Sequence, residues 1–158
     1  MEDRDIVVGV DGTGDCDAAL TWAADEAALT GARLVVVHAW ETRERAFAPY
    51  ARPRRKLLGA GEQAQAVLER ALLRVRAAHP DLEVAGRAVR GRPEAVLRHE
   101  ARGAALLVLG SAAHQAGDGR LGAVLLACLR WPPCPVTVVG AAQPVARRPF
   151  AAVAAASH

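Results

Sequence analysis

Two glycine-containing segments follow runs of branched apolar residues and have the composition of ligand-binding loops. The first, Val10–Gly14, reads VDGTG and puts the carboxylate of Asp11 directly after the run Ile6–Val10. The second, residues 110–122, reads GSAAHQAGDGRLG and follows the run Leu106–Leu109. Glycines leave the backbone open to close approach. A glycine-rich loop that begins a helix also directs unpaired N–H groups toward an anion such as phosphate. A flexible turn explains the second segment equally well.

Two other phosphate-binding motifs can be excluded. Residues 117–122 match G-x-G-x-x-G, but that dinucleotide motif follows the first strand and has an acidic residue about 20 positions later. No Asp or Glu follows Asp118. A Walker loop needs Gly-Lys-Ser/Thr, and the only lysine, Lys56, is followed by Leu57.

No group of residues predicts an enzyme. Ser111 lacks the flanking glycines of a G-x-S-x-G nucleophile elbow. His38 ends an apolar run, and we interpret it as a hydrogen-bonded core residue. No histidine, cysteine and carboxylate set has metal-ligand spacing, and no acid–base pair or activated nucleophile is evident. The three cysteines cannot all pair internally, and we expect them to be reduced thiols.

The apolar pattern predicts five strands that alternate with four helices. The predicted strands are Ile6–Val10, Leu34–His38, Leu82–Val89, Leu106–Leu109 and Pro135–Val139, and the helical stripes are Leu20–Ala28, Ala64–Val75, Val96–Ala101 and Leu121–Leu129. This order predicts an open, doubly wound α/β domain with a mostly parallel sheet and helices on both faces. In such sheets ligands bind beyond the carboxyl ends of the strands. The third strand alternates in polarity, so we expect it at an edge.

Composition limits the classes of partner. The chain has 158 residues, enough for one domain, and a net charge of only +3. No basic face is interleaved with aromatic residues, so we do not expect nucleic-acid binding. The apolar runs are too short to cross a membrane, and no secretory signal is present, so we expect a cytoplasmic protein. We predict a long, solvated, arginine-containing loop at 41–56 and a disordered tail at 141–158; the role of the arginines at 43–56 stays open.

Five segments resemble, in order and spacing, the universal stress protein family over residues 5–140. They are IVVGVDG at 6–12, LVVVHA at 34–39, Gly91-Arg92-Pro93 with Leu97, LVLGS at 107–111 and CPVTVV at 134–139. The resemblance implies one domain at 1–140 with a five-stranded parallel sheet of order 3-2-1-4-5. It also implies a homodimer that pairs through the fifth strands, Val136–Val139.

The same resemblance implies a nucleotide-binding stress or signalling module that binds ATP or a related adenine nucleotide, with or without Mg²⁺. The adenine and ribose contacts would map to Asp11 and Ala39. The phosphate contacts would come from one loop and the helix after it: Gly110, Ser111, Gly117, Gly119, Arg120, Gly122 and Ala123.

The phosphate motif of the nucleotide-binding members is altered in this chain. Their pattern is Gly, two residues, Gly, nine residues, Gly, then Ser or Thr. Here Ala113 occupies the second glycine position, only eight residues precede Gly122, and Ala123 replaces the hydroxyl residue. A lost hydroxyl hydrogen bond costs about 0.5–1.5 kcal/mol. A dimeric interaction module that kept the fold and lost the ligand is therefore the alternative hypothesis.

Overall fold

The computed structural model describes residues 4–41, 53–111 and 122–140, with only the backbone given for Asp15 and residues 53–58. The strands are β1 (Ile6–Gly9), β2 (Leu34–Trp40), β3 (Val84–Arg90), β4 (Leu106–Gly110) and β5 (Val136–Val139). The helices are α1 (Asp17–Thr30), α2 (Pro53–Ala78), α3 (Pro93–Glu100) and α4 (Ala123–Arg130), with a short 3₁₀ turn at Gly14–Cys16.

The strands form one sheet of order β3-β2-β1-β4-β5, and all four pairings are parallel. This confirms the predicted fold class, the strand order and the edge position of the third strand. The order reverses at β1, which pairs with β2 on one side and β4 on the other: Val7 is in register with Val35 and with Leu107.

The central strand is buried on both faces. Ile6 and Val8 pack into a core with residues of α1 and α2, whereas Val7 packs into a second core with residues of α3 and α4. Val7 and Val8 have no exposed surface. A parallel strand covered on both faces needs an uninterrupted apolar run, and the sequence of β1 meets this requirement.

The helices follow the predicted stripes with two corrections. Helix α1 ends at Gly31, whose φ of 69° is the left-handed conformation that favours glycine, and α3 begins with Pro93 in its first turn. Ala28, assigned to the buried stripe of α1, is exposed, because the face of α1 toward the sheet is centred on its other alanines. Leu125 and Cys128 of the predicted α4 stripe are buried, but Leu129, assigned to the same stripe, is 41% exposed.

Several boundaries differ from the prediction. Strand β1 ends one residue earlier, at Gly9, and β3 begins at Val84 rather than Leu82. Helix α2 begins at Pro53, so the last four residues of the predicted loop 41–56 are helical; proline is suited to a first turn because it has no N–H to leave unpaired. Most of that loop and the predicted tail at 141–158 lie outside the described residues.

A buried ion pair joins the beginnings of β1 and β2. Asp5 is 1% exposed, and its carboxylate accepts two hydrogen bonds from Arg33, at 3.0 Å from Nε and 2.6 Å from Nη2. Two parallel bonds between guanidinium and carboxylate are among the stronger polar contacts in proteins. Arg33 lies directly before β2, so the pair fixes the amino end of the sheet.

We expect Arg33→Gln to lower the free energy of unfolding by about 2 kcal/mol, because it removes the guanidinium that pairs with the buried Asp5 carboxylate. The effect is smaller than for a fully buried pair since Arg33 is 31% exposed. The matched control is Arg74→Gln, which breaks an exposed pair with Asp17 and should cost less than about 0.5 kcal/mol. Urea denaturation measures both changes, and equal losses would contradict a special role for the Asp5 pair.

Candidate functional site

A cleft opens at the carboxyl edge of the sheet, where the strand order reverses. It has a volume of about 190 Å³ and lies between the loop after β1 and the beginning of α4. The site residues that sequence analysis predicted and that line this cleft are Asp11, Ala39, Gly110, Gly122 and Ala123. The structure therefore brings together residues that are up to 112 positions apart, from 11 to 123.

The cleft walls are mostly apolar. Val37, Leu97, Leu109, Val124 and Leu125 contribute to them. Strand β1 packs closely against two of these side chains at its last residue, Gly9. A β-carbon at Gly9 would lie 3.0 Å from Leu97 Cδ2 and 3.3 Å from Leu109 Cδ2. Glycine at position 9 thus lets α3 and β4 close around the end of β1. Such a surface suits a flat, largely uncharged group, with polar contacts only at its rim.

Asp11 is the acidic group at the rim of the cleft, and its own loop holds it. Oδ1 accepts hydrogen bonds from the Thr13 N–H (2.8 Å), the Thr13 hydroxyl (2.6 Å) and the Cys16 thiol (3.0 Å). Gly12, which lies between Asp11 and Thr13, has a φ of +83°, a conformation that favours glycine. Partial burial raises the pKa of Asp11, but these hydrogen bonds lower it by more, so the pKa lies below its usual value.

The thiol of Cys16 also lines the cleft. Burial, together with the hydrogen bond to Asp11, raises the pKa of Cys16 to about 12. Because only the thiolate is a strong nucleophile, Cys16 acts here as a hydrogen-bond donor. Burial likewise raises the pKa of Cys128 and of Cys134, and all three cysteines are free thiols.

His38 has the core role that the sequence predicted. It is 8% exposed, and its Nδ1 lies 2.8 Å from the carbonyl oxygen of Val10. The contact braces β2 against the residue that precedes Asp11. It therefore supports the geometry of the loop and leaves His38 outside the cleft lining.

The first turn of α4 also borders the cleft. Gly122 is its N-cap residue, with φ −58° and ψ 150°, and its carbonyl accepts the first helical bond from the Leu126 N–H. The preceding N–H groups of a helix have no partner within it. No side chain caps this helix, and its first turn contains no acidic residue. An anionic group could be accepted here.

The remaining predicted site residues do not join the cleft within the described chain. Ser111 follows β4, and its N–H donates to the Val139 carbonyl at 2.9 Å, but it is absent from the cleft lining. Gly117, Gly119 and Arg120 lie outside the described residues.

Two residues that contact Asp11, Thr13 and Cys16, were missed by the sequence analysis. The Asp-x-Thr spacing is typical of a side-chain turn and could have indicated Thr13, whereas no sequence signal indicated Cys16.

Other cavities have less favourable chemistry. A larger one, of about 460 Å³, lies at the opposite edge of the sheet, near Gly31, Arg33 and His79. It is open to solvent at the amino ends of the strands, where ligands of open α/β sheets do not bind. A third, of about 200 Å³, lies behind the loop after β1, against α2.

Within the described segments no cluster of His, Cys, Asp or Glu could hold a metal ion, and no helix could span a membrane.

Solved structures share this architecture. A universal stress protein crystallised in complex with cAMP superimposes with a TM-score of 0.70; it is 27% identical, and the match covers 88% of this chain and 98% of that protein. UspA from Lactobacillus plantarum superimposes with a TM-score of 0.72 at 20% identity, over 88% of this chain and 99% of that protein.

Sequence comparisons identify the same family as the solved structures do. Two universal stress proteins of Mycobacterium tuberculosis, from strains CDC 1551 and H37Rv, are 30% identical over 154 residues, or 96% of this chain. The chain spans about half the length of these relatives, 55%. The sequence model of the Universal stress protein family matches residues 4–140. The chain therefore belongs to the universal stress protein family.

Proposed function

We propose that this chain binds an adenine nucleotide in the cleft between the loop after β1 and the first turn of α4. The observation that carries the proposal is the cleft itself, which has apolar walls, one carboxylate at its rim and the N-terminus of a helix in its lining. The solved relative that was crystallised with cAMP, at 27% identity, supports the choice of ligand.

The chemistry of the cleft favours a base inside it, and its small size would leave the ribose and phosphate at the rim. Its volume of about 190 Å³ is below the roughly 300–1,000 Å³ of pockets that enclose a drug-sized ligand. The apolar walls suit an adenine ring. Asp11 can accept hydrogen bonds from an amino group or from ribose hydroxyls, and the N–H groups of α4 suit a phosphate. ATP with Mg²⁺ is one candidate ligand, and a monophosphate or cyclic nucleotide is another.

We further propose that the protein binds this ligand without strong catalysis. Among the described residues that line the cleft, the ionisable side chains are those of Asp11 and Cys16. The raised pKa of Cys16 keeps it protonated, and the lowered pKa of Asp11 keeps it ionised. A general acid or base is most effective when its pKa lies near the working pH, and neither group meets that condition. We propose a cytoplasmic signalling or stress-response role for such a binder.

A homodimer through β5 is part of the proposal. This strand lies at the edge of the sheet, and Val138 is 38% exposed. Helix α4, which precedes β5 in the chain, exposes Leu126 (51%) and Leu129 (41%), and Trp131, just after α4, is 62% exposed. An apolar edge strand is a hazard unless it is paired or covered. The same surface supports the alternative function, an interaction module that has lost its ligand.

We expect Gly122→Val to weaken binding of AMP, cAMP or ATP at least about tenfold, a change of about 1.4 kcal/mol. The branched side chain would occupy the approach to the first turn of α4. The backbone angles of Gly122 are accessible to valine, so the fold should persist. Isothermal titration calorimetry measures the affinity.

The matched control is Gly59→Val on α2. Apart from its chain neighbours and the backbone of its own helix, no atom of the described residues lies within 4 Å of a β-carbon built at Gly59, and Gly59 lies outside the cleft. This variant should bind as the wild type does. Unchanged affinity in Gly122→Val would argue against phosphate binding at α4.

We expect Val138→Lys to convert the dimer to a monomer, because a charge on an edge strand opposes strand pairing. Leu73→Lys is the control: Leu73 is 65% exposed on α2, a helix that packs on β2 and β3 at the other side of the sheet. Light scattering coupled to size exclusion gives the masses. A wild-type monomer, or a Val138→Lys dimer, would contradict pairing through β5.

A further inference from the structure

The hydrogen bonds around Asp11 are unevenly shared between its two carboxylate oxygens. Thr13 donates twice and Cys16 once, and all three bonds end on Oδ1. None of the hydrogen bonds from other described residues ends on Oδ2, although the N–H of Asp11 itself also hydrogen-bonds to the carboxylate. Three hydrogen bonds to one oxygen, donated by two residues, restrict the movement of the carboxylate, since each bond weakens steeply when it bends. Oδ2 therefore has a defined orientation.

The chemistry of that second oxygen limits what can meet it. An ionised carboxylate only accepts hydrogen bonds, and the hydrogen bonds from Thr13 and Cys16 keep Asp11 ionised by lowering its pKa against the effect of burial. Asp11 lines the cleft, and among the described lining residues none is basic. A phosphate next to Oδ2 would be repelled. A ligand group that contacts it has to be a donor.

We propose that Thr13 and Cys16 are positioning residues of the nucleotide site: they hold Asp11 by Oδ1 so that Oδ2 accepts a hydrogen bond from a nucleoside. The donor is an exocyclic amino group of the base or a ribose hydroxyl, since these are the neutral donors that a nucleoside offers. The inference rests on the proposed nucleotide binding and adds to it the two residues that orient the carboxylate.

The test compares variants that remove a donor with variants that keep it. Thr13→Val and Cys16→Ala remove the hydroxyl and the thiol, whereas Thr13→Ser and Cys16→Ser each retain an O–H donor. We expect the affinity for AMP to fall about three- to tenfold in each of the first pair. The serine variants should restore it to within about twofold of the wild type. Circular dichroism and urea denaturation verify that each variant is folded.

Ligand analogues identify the donor. Inosine monophosphate replaces the amino group of adenine with a carbonyl, and the 2′- and 3′-deoxy forms of AMP each lack one hydroxyl. The analogue that lacks the group bound by Oδ2 should bind more weakly to the wild type. It should also lose little further affinity in Thr13→Val, because the contact is already gone.

The outcomes separate this inference from the proposed function. If the wild type binds none of these nucleotides, the proposed function fails and the inference fails with it. If the wild type binds AMP and folded Thr13→Val and Cys16→Ala bind equally well, the inference is overturned while the proposed function stands. Failure of the serine variants to restore affinity, or equal affinity for all the analogues, would also overturn it.

Discussion

The double-sided burial of β1 constrains every other part of this protein. Because Ile6 and Val8 face one core and Val7 the other, helices must cover both faces of the sheet. With β2 on one side and β4 on the other, the connections that leave the two neighbouring strands diverge. This divergence opens the cleft above Gly9 and sets Asp11 at its rim. The site is thus a consequence of how the central strand is buried.

The fold was predictable because its strongest signals are local. Continuous apolar runs indicated buried parallel strands, and apolar stripes at helical spacing indicated the four helices between them. The beginning of α2 at Pro53 was missed because arginines, which are good helix formers, were interpreted as loop residues. The exposure of Ala28 was missed because alanine is compatible with either face of a helix, so only the packing of α1 decides it.

The site was predictable only in outline. Asp11 and Gly122 were found in glycine-containing loops that follow strands, and Ala39 was added only by the family resemblance; the structure brings all three to one cleft. The hydrogen bonds that Thr13 and Cys16 donate to Asp11 were harder to predict. Cys16 reaches the carboxylate because a 3₁₀ turn brings position 16 back toward position 11, and turns of this kind have weak sequence signals. The carbonyl of Val10, bonded to buried His38, shows the same dependence on tertiary contacts.

The central claim is that the cleft binds an adenine nucleotide, and the melting temperature of the purified protein tests it most directly. It is measured with and without millimolar cAMP, AMP, ADP and Mg-ATP. A ligand that binds only the folded state stabilises it by RT ln(1 + [L]/Kd), about 2.7 kcal/mol at a hundredfold excess over Kd. The account predicts a clear rise with at least one of these nucleotides. No rise with any of them, and no nucleotide released from the denatured protein, would contradict it.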